Sequence, residues 1–210
     1  MSHAGHTYDR IAAHFSKTRE HAWPEIESFL DGRTGELGLD LGCGNGRHAE
    51  VLAAHTERVV GVDASTGLLA EAADRAAERG FDADLVAGDA ATIPLRTDTV
   101  DLAVYVATLH HLRPRERRVG SLDELARVLA PGGRALVSAW STEHDRFAEE
   151  ETDGSGLDTE IDWTLPGGET VGRYYHVYDP AEFEADLRAS DLELLEWELS
   201  SGNCYAVVGP

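Results

Sequence analysis

The chain has 210 residues, enough for one domain with a full core. Asp and Glu total 39 against 18 Lys and Arg, a formal charge of −21, which argues against nucleic-acid binding unless the acidity is an adaptation to solvent. Cys43 and Cys204 are too few and too far apart for a disulfide framework or a CxxC knuckle, and the ten histidines include no i, i+4 pair, so no metal is expected.

No run of about eighteen apolar residues exists, which excludes a conventional transmembrane helix. The opening, Met1-Ser2-His3-Ala4-Gly5-His6, is polar and lacks an apolar signal core. A cytoplasmic protein without a membrane partner is expected. Tyr8, Ile11, Ala12 and Phe15 fall at i, i+3, i+4 and i+7, which predicts an amphipathic first helix. Trp23, Ile26 and Leu30 continue an apolar face in a second helix, with Pro24 at a tolerated early position.

Leu37, Leu39 and Leu41 alternate as a strand requires, and a helix over 47–54 follows. Residues 58–63 read as strand two, Ser65 as the N-cap of a helix over 66–79, 84–87 as strand three and 99–106 as an apolar strand four. A helix over 116–129 should turn Val119, Leu122, Leu125, Ala126 and Leu129 inward. Pro131-Gly132-Gly133 should end it before strand five at 134–140.

Residues 141 to about 172 are rich in Glu, Asp, Gly and Thr, show little periodicity, and read as a loop or insertion, partly mobile. Asp179-Pro180 opens a last helix with Phe183 and Leu187 inward. Strands near 192–199 and 203–208 close as a hairpin around Ser201-Gly202. The alternation predicts an α/β fold: a mainly parallel, doubly wound seven-stranded sheet, helices on both faces, and a C-terminal antiparallel hairpin. One domain over 1–210 is expected, with an insertion over about 141–178.

The most informative stretch is Leu39-Asp40-Leu41-Gly42-Cys43-Gly44-Asn45-Gly46-Arg47. A strand ends, a glycine turn follows and a helix begins, so the backbone can approach a nucleotide-like ligand where a Cβ would collide. The next acid at a strand end is Asp63, 21 residues after Gly42, placed to reach a ribose. The spacing G-x-G-x-G with Asp40 before it departs from the dinucleotide fingerprint. It resembles motif I of class I S-adenosylmethionine methyltransferases, whose fold is Rossmann-like.

That resemblance implies a cofactor set. Gly42, Gly44 and Gly46 would frame the methionine part and Asp40 would face its ammonium. Asp63, with Ala64 beside it, would take the ribose hydroxyls. Asp89 and the backbone of Ala90 would hold the adenine, and Ala107 would lie under the sulfonium. Tyr8, in a Tyr-Asp-x-x-Ala start, would belong to a helical lid over about 1–32 that keeps water from the cofactor.

A narrower resemblance runs along nearly the whole chain. Tyr8-Asp9-x-Ile11-Ala12-x-His14-Phe15-Ser16-x-Thr18-Arg19, Trp23-Pro24 and Val106-Ala107-Thr108-Leu109-His110-His111-Leu112 carry part of it. Arg115-Glu116-Arg117-Arg118, Gly132-Gly133-Arg134-Ala135-Leu136-Val137-Ser138-Ala139-Trp140 and Arg173-Tyr174-Tyr175-His176-Val177-Tyr178 carry the rest. These are similar to the tRNA wobble-uridine carboxymethyl methyltransferases. The resemblance implies methyl esterification of 5-carboxymethyluridine in the anticodon loop of tRNA. It also implies a heterodimer with a small zinc-ribbon activator protein.

A carboxylate acceptor is ionised at neutral pH, with a pKa near ~4, so no general base is needed. A cation must still hold it, and Arg19, His110, Arg173 and His176 are the candidates. Arg113, Arg115, Arg117 and Arg118 either contact RNA phosphates or pair with acids on their own helix surface. Trp140, and less so Tyr174 and Tyr175, are candidates to stack on a flipped base.

Lys17 is the only lysine. An acid-rich, lysine-poor chain resembles the cytoplasmic proteins of extreme halophiles and suggests a halophilic archaeon. Two other readings stay open: a small-molecule methyltransferase acting on a quinone or carboxylic acid, and a cofactor-binding scaffold without turnover.

Overall fold

Strand β1 (Gly35–Leu41) is the pivot of the sheet, because the chain that follows it builds outward first on one side and then on the other. On one side lie β2 (Thr56–Asp63) and then β3 (Asp84–Ala87) at the edge. On the other lie β4 (Val100–Val106), β5 (Leu129–Trp140), β9 (Asn203–Gly209) and β8 (Glu193–Ser200). Strands β1 to β5 pair in parallel; β9 runs antiparallel to β5, and β8, antiparallel to β9, returns to the direction of the parallel strands. The fold is therefore the expected seven-stranded Rossmann-like α/β sheet with a C-terminal hairpin. The computed structural model describes residues 3–148 and 154–210, without the side chains of residues 3 and 4.

Side-chain alternation builds two cores. Leu39 and Leu41 of β1, with Ala103 and Tyr105 of β4, pack under α5 (Arg115–Val128) and α6 (Pro180–Ala189) through Leu122, Leu125, Phe183 and Leu187. Leu102, Val104 and Val106 face the other way, onto Ile26, Phe29 and Leu30 of α2 (Pro24–Leu30) and Ala49 and Leu52 of α3 (Arg47–Leu52). The order reverses between β1 and β4, which opens a crevice at the carboxyl ends of those strands.

The caps agree with the sequence. Ser65 accepts a hydrogen bond from the Leu68 amide at the start of α4 (Thr66–Arg79), and Asp179 accepts one from Ala181 at the start of α6. Helix α5 differs in detail. Leu129 already belongs to β5, Val119 is only half-buried, and Arg118 turns inward instead. An arginine is tolerated there because Glu182 at 3.4 Å and Asp186 at 3.8 Å supply acids from α6.

The main correction concerns the stretch read as a loop or insertion of little periodicity. Residues 149–153 of it lie outside the described residues. Beyond them, β6 (Leu157–Thr164) and β7 (Thr170–Val177) form an antiparallel hairpin with eight register pairs, from Leu157–Val177 to Thr164–Thr170. Phe147, Ile161, Tyr175 and Val177 form a small core of its own, with Trp140 and Leu157 against it. The insertion is pinched at its base: Tyr178 donates its amide to the Trp140 carbonyl at 2.8 Å and accepts from Thr142 at 2.9 Å. The hairpin leans on the first helix, α1 (His3–Thr18), through a Trp163 indole donating to His14 at 3.0 Å and an Arg10–Glu169 pair at 2.6 Å.

Candidate active site

A cleft lies at the carboxyl ends of β1, β2 and β4. It encloses about 850 Å³ with its open mouth included, within the usual range of small-molecule sites. Gly42, Gly44, Asp63, Ala64, Asp89, Ala90, Ala107 and Tyr8 all line it, so eight of the ten residues expected around a cofactor converge. Gly42 turns at φ +75°, and a Cβ there would run into the Thr108 side chain. Gly44 turns at φ +54° with only the edge of Phe15, 3.9 Å away, near its missing Cβ, which leaves bare backbone facing the cleft. Ala107 holds φ +53°, a conformation L-residues rarely adopt, directly below the same space.

Gly46 and Asp40 do not line the cleft. Gly46 packs instead against Ala72 of α4 and starts α3. The Asp40 carboxylate is enclosed beneath the glycine turn, and neither oxygen has a hydrogen-bond partner. Burial pushes its pKa up to about 7; the nearby Ala49 amide offsets part of this, the Asp63 charge adds to it and Arg47 opposes it.

The acids on β2 and β3 are set by backbone. Asp63 accepts from the amides of Gly44 and Ser65, each at 2.8 Å, and burial raises its pKa. The carboxylate lines the cleft and keeps acceptor capacity there, as a ribose diol requires. Asp89 accepts from the Ala91 amide at 3.0 Å and takes both oxygens to one nitrogen of Arg117, at 2.8 and 2.6 Å. Burial opposes its charge, but Arg117 and Ala91 outweigh that and hold the carboxyl below the usual range.

Helix α1 roofs the cleft with Gly5, Tyr8 and Phe15. Asp9 latches it: its carboxylate accepts from the Ser65 hydroxyl at 2.7 Å and the Gly67 amide at 2.8 Å, at the positive end of α4. Tyr8 is fixed from below by His111, a residue not among the expected four. His111 Nδ1 sits 2.8 Å from the Tyr174 carbonyl, which only accepts, so Nδ1 carries the proton. Burial lowers the pKa of His111 to about 4, partly against that carbonyl and reinforced by Arg173. The ring is thus neutral, Nε2 accepts, and the Tyr8 hydroxyl donates to it at 3.0 Å.

A second cavity adjoins the cleft and shares Tyr8, His111 and Leu112 with it. Arg113, Arg117, Arg173, Tyr174 and Glu160 line the rest, with Thr7 and Gly172. Arg173, only 8% exposed, donates to the Tyr175 hydroxyl at 2.6 Å, and its Nε has no partner. Its guanidinium lies 4.8 Å from the Trp163 ring centre, and that of Arg19 lies 5.6 Å from the same ring. Two arginines 154 positions apart therefore meet on one indole. Neither forms an ion pair with an acid among the described residues.

The two histidines expected beside them are placed elsewhere. His110 is buried and accepts the Trp140 amide at 3.0 Å, so it holds the chain and burial keeps it neutral. His176 points to the opposite side of β7 from Arg173, between Asp158 at 2.7 Å and Glu182 at 3.1 Å. A ring boxed by two carboxylates cannot receive a third. Trp140 packs on Phe147, His144 and Tyr175 in the insertion's core. Tyr175 is buried, and Tyr174 alone of the three aromatic candidates lines the second cavity.

The arginine cluster also separates. Arg115 pairs with Asp186 at 2.6 Å and Arg118 joins the same buried group, so the acids come from α6 and not from their own helix. Arg113 lies over the Tyr174 ring at 4.8 Å. Arg47 emerges as a further cleft residue. It has no ion pair among the described residues, and burial first, then Arg19, lowers its pKa to about 10. Its place directly after the glycine turn was the available signal.

These features fit S-adenosylmethionine: bare glycine backbone, two acids at successive strand ends and an unpaired arginine at the turn. The comparisons with known proteins agree. A family model described as a methyltransferase domain matches residues 39–137. A putative methyltransferase of Encephalitozoon cuniculi is 35% identical over 175 residues, covering 81% of this chain and 78% of that protein. The tRNA (carboxymethyluridine(34)-5-O)-methyltransferase of Saccharomyces cerevisiae is 35% identical over 162 residues, covering 76% of this chain and 55% of that protein.

The mouse protein of the same name, ALKBH8, is 38% identical, but the chain spans only 21% of its length. Two solved structures share the fold. A DhpI complex with its cofactor aligns over all of both chains with TM-score 0.74 and 21% identity. A Haloferax volcanii complex between the Trm112 methyltransferase activator and a putative methyltransferase aligns over 96% of each chain with TM-score 0.70 and 18% identity.

Fold and cleft together define a class I methyltransferase. The chain belongs to the S-adenosylmethionine-dependent methyltransferases, with homology to the tRNA carboxymethyluridine enzymes, and S-adenosylmethionine is its cofactor.

Proposed function

We propose that this methyltransferase esterifies the carboxylate of 5-carboxymethyluridine at the wobble position of tRNA. One observation carries the reading: a cavity off the cofactor cleft whose wall holds Arg173 with a free, buried Nε, beside Arg19. In a chain of charge −21, two arginines left without acids at such a place fit an anionic acceptor. The names of the yeast and mouse relatives support the choice of acceptor.

When bound, the cofactor supplies an electrophilic methyl group. The chain's own residues then position and dehydrate. Asp63 takes the ribose, Asp89 and Ala90 the adenine, Arg47 the carboxylate end, and Asp40 acts on the ammonium through its field. Arg173 and Arg19 align the acceptor carboxylate, which is ionised at neutral pH and needs no proton removed. Tyr8, held by His111, and α1 exclude water from the junction of the two cavities.

The same proposal includes the activator. Strand β3 is the edge of the sheet and pairs only with β2 among the described residues. Beside it lies a shallow apolar depression lined by Ala76, Ala77, Phe81, Ala83 and Leu85. A strand from a small zinc-ribbon protein would extend the sheet there. The Haloferax complex, a protein of this fold together with the Trm112 methyltransferase activator, supports the reading.

Labelled methyl transfer to tRNA carrying carboxymethyluridine, in parallel with a lipid extract, tests the acceptor. Label in tRNA, with nucleoside mass spectrometry showing the methyl ester, is expected; label in lipid alone would remove the tRNA reading. Coexpression with the activator should raise the soluble yield of the chain, and full activity of the chain by itself would count against the heterodimer.

A further inference from the structure

The two cavities share more than a wall. Arg117, in the first turn of α5, lines the acceptor cavity, while the acid it grips, Asp89, lines the cofactor cleft. Both contacts to Asp89 come from a single terminal nitrogen, at 2.8 and 2.6 Å. The guanidinium has five N–H donors, so the remaining nitrogens stay available to a second anion without releasing Asp89. The Arg117 side chain is 42% exposed and Asp89 36%, so the pair is ordered at one end and open at the other. Arg113 lies in the same cavity with its guanidinium over Tyr174 and no acid within ion-pair distance among the described residues. Arg115 and Arg118 are not in this position, because Asp186 and Glu182 hold them on the far side of the helix.

We propose that Arg117 couples the two sites: an acceptor phosphate bound by Arg117 and Arg113 fixes Asp89 for the cofactor's adenine end, so acceptor and cofactor tighten each other. This rests on the tRNA reading for the source of the phosphate. The sign follows from the geometry. A phosphate on the free donors immobilises a half-exposed side chain in the position that already holds Asp89, so the ordering cost is met once and shared by both ligands. Linkage makes the effect reciprocal.

Arg117 does not touch the reacting atoms in this scheme. It is a positioning residue, and it also separates nucleotide acceptors from free carboxylic acids, which lack the phosphate. A small acid could reach Arg173 but would leave Arg117 as it is.

Calorimetry with S-adenosylhomocysteine, alone and with a saturating anticodon stem-loop RNA carrying carboxymethyluridine, reads the coupling directly. In the native protein the RNA should tighten S-adenosylhomocysteine by roughly fivefold or more. Arg117→Gln should weaken S-adenosylhomocysteine about tenfold and abolish the RNA effect. Arg117→Lys keeps a charge for Asp89 but has no fork to span two anions. It should hold S-adenosylhomocysteine to within about threefold of native and still lose the RNA effect, an outcome that a merely structural role would not produce. RNA that binds without changing the affinity for S-adenosylhomocysteine overturns the coupling and leaves the tRNA reading standing. RNA that does not bind, with S-adenosylhomocysteine bound normally, removes the tRNA reading and the coupling together.

Discussion

Asp40 is the residue whose surroundings contradict its chemistry most. An exposed Asp titrates near ~3.9, whereas burial lifts this one to about 7. The folded chain therefore holds the proton more tightly than the unfolded chain. The resulting stability is complete below about pH 4 and is lost as pH rises through about 7. Asp40→Asn cannot lose it, so its stability relative to the native protein should rise from about pH 4 to about pH 7, by an amount on the order of a few kcal/mol, and level off above. Thermal scans across that range test this, and a pH-independent difference would show that the group titrates elsewhere. Arg173→Ala and Arg19→Ala should each lower kcat/KM for tRNA by roughly tenfold or more, with cofactor affinity nearly unchanged. Equal loss of both would assign the arginines to cofactor binding or folding.

At the scale of elements, the roof and the hairpin act as one cover. Helix α1 is tied to α4 by Asp9, to the turn after β4 by Tyr8–His111 and to the hairpin by His14–Trp163. Asp9→Ala removes two hydrogen bonds at the start of α4 and should cost about 1 kcal/mol. The loss should fall on α1: hydrogen exchange of its amides should accelerate while the core strands keep their protection. Uniform acceleration would mean that α1 opens only with global unfolding. The hairpin was hard to see in the sequence for a physical reason. Leu157, Ile161, Trp163, Val171, Tyr175 and Val177 do recur at even spacing, but Arg173 occupies an inward position, and the outward positions are acids on β6 and a Thr, Gly, Tyr and His on β7. The apolar signal per strand is weak because the core they build is small.

Across the whole molecule, the −21 charge and single lysine bear on solvent more than on fold. Self-repulsion falls as the Debye length shrinks from about 10 Å at 0.1 M to about 3 Å at 1 M salt. If the acidity is a halophilic adaptation, the melting temperature should climb by several degrees between these concentrations of KCl. A flat or falling trend would remove the halophile reading. The arginines follow a different rule. Most of those described sit on acids, as Arg58 on Asp84, Arg75 on Glu50 and Arg127 on Glu124 do. Against that background, the acid-free Arg47, Arg113 and Arg173 that line the two cavities, with Arg19 on the Trp163 ring beside Arg173, are what distinguish the site.

Apart from the β6–β7 hairpin, the order of strands and helices was legible in the chain, as were the glycine turn and the acids capping β2 and β3, because each rests on local periodicity, caps and backbone freedom. Only the tertiary structure could choose between His110 and His111, since adjacent residues in a single turn differ in which one meets Tyr8 and the Tyr174 carbonyl. The same holds for Arg173 and His176. They lie three residues apart on one strand, and pairing with β6 sends one toward Trp163 and the other toward Asp158. Contacts between residues more than a hundred positions apart leave no mark on local pattern, so the sequence named the cofactor while the packing selected the groups that face the acceptor.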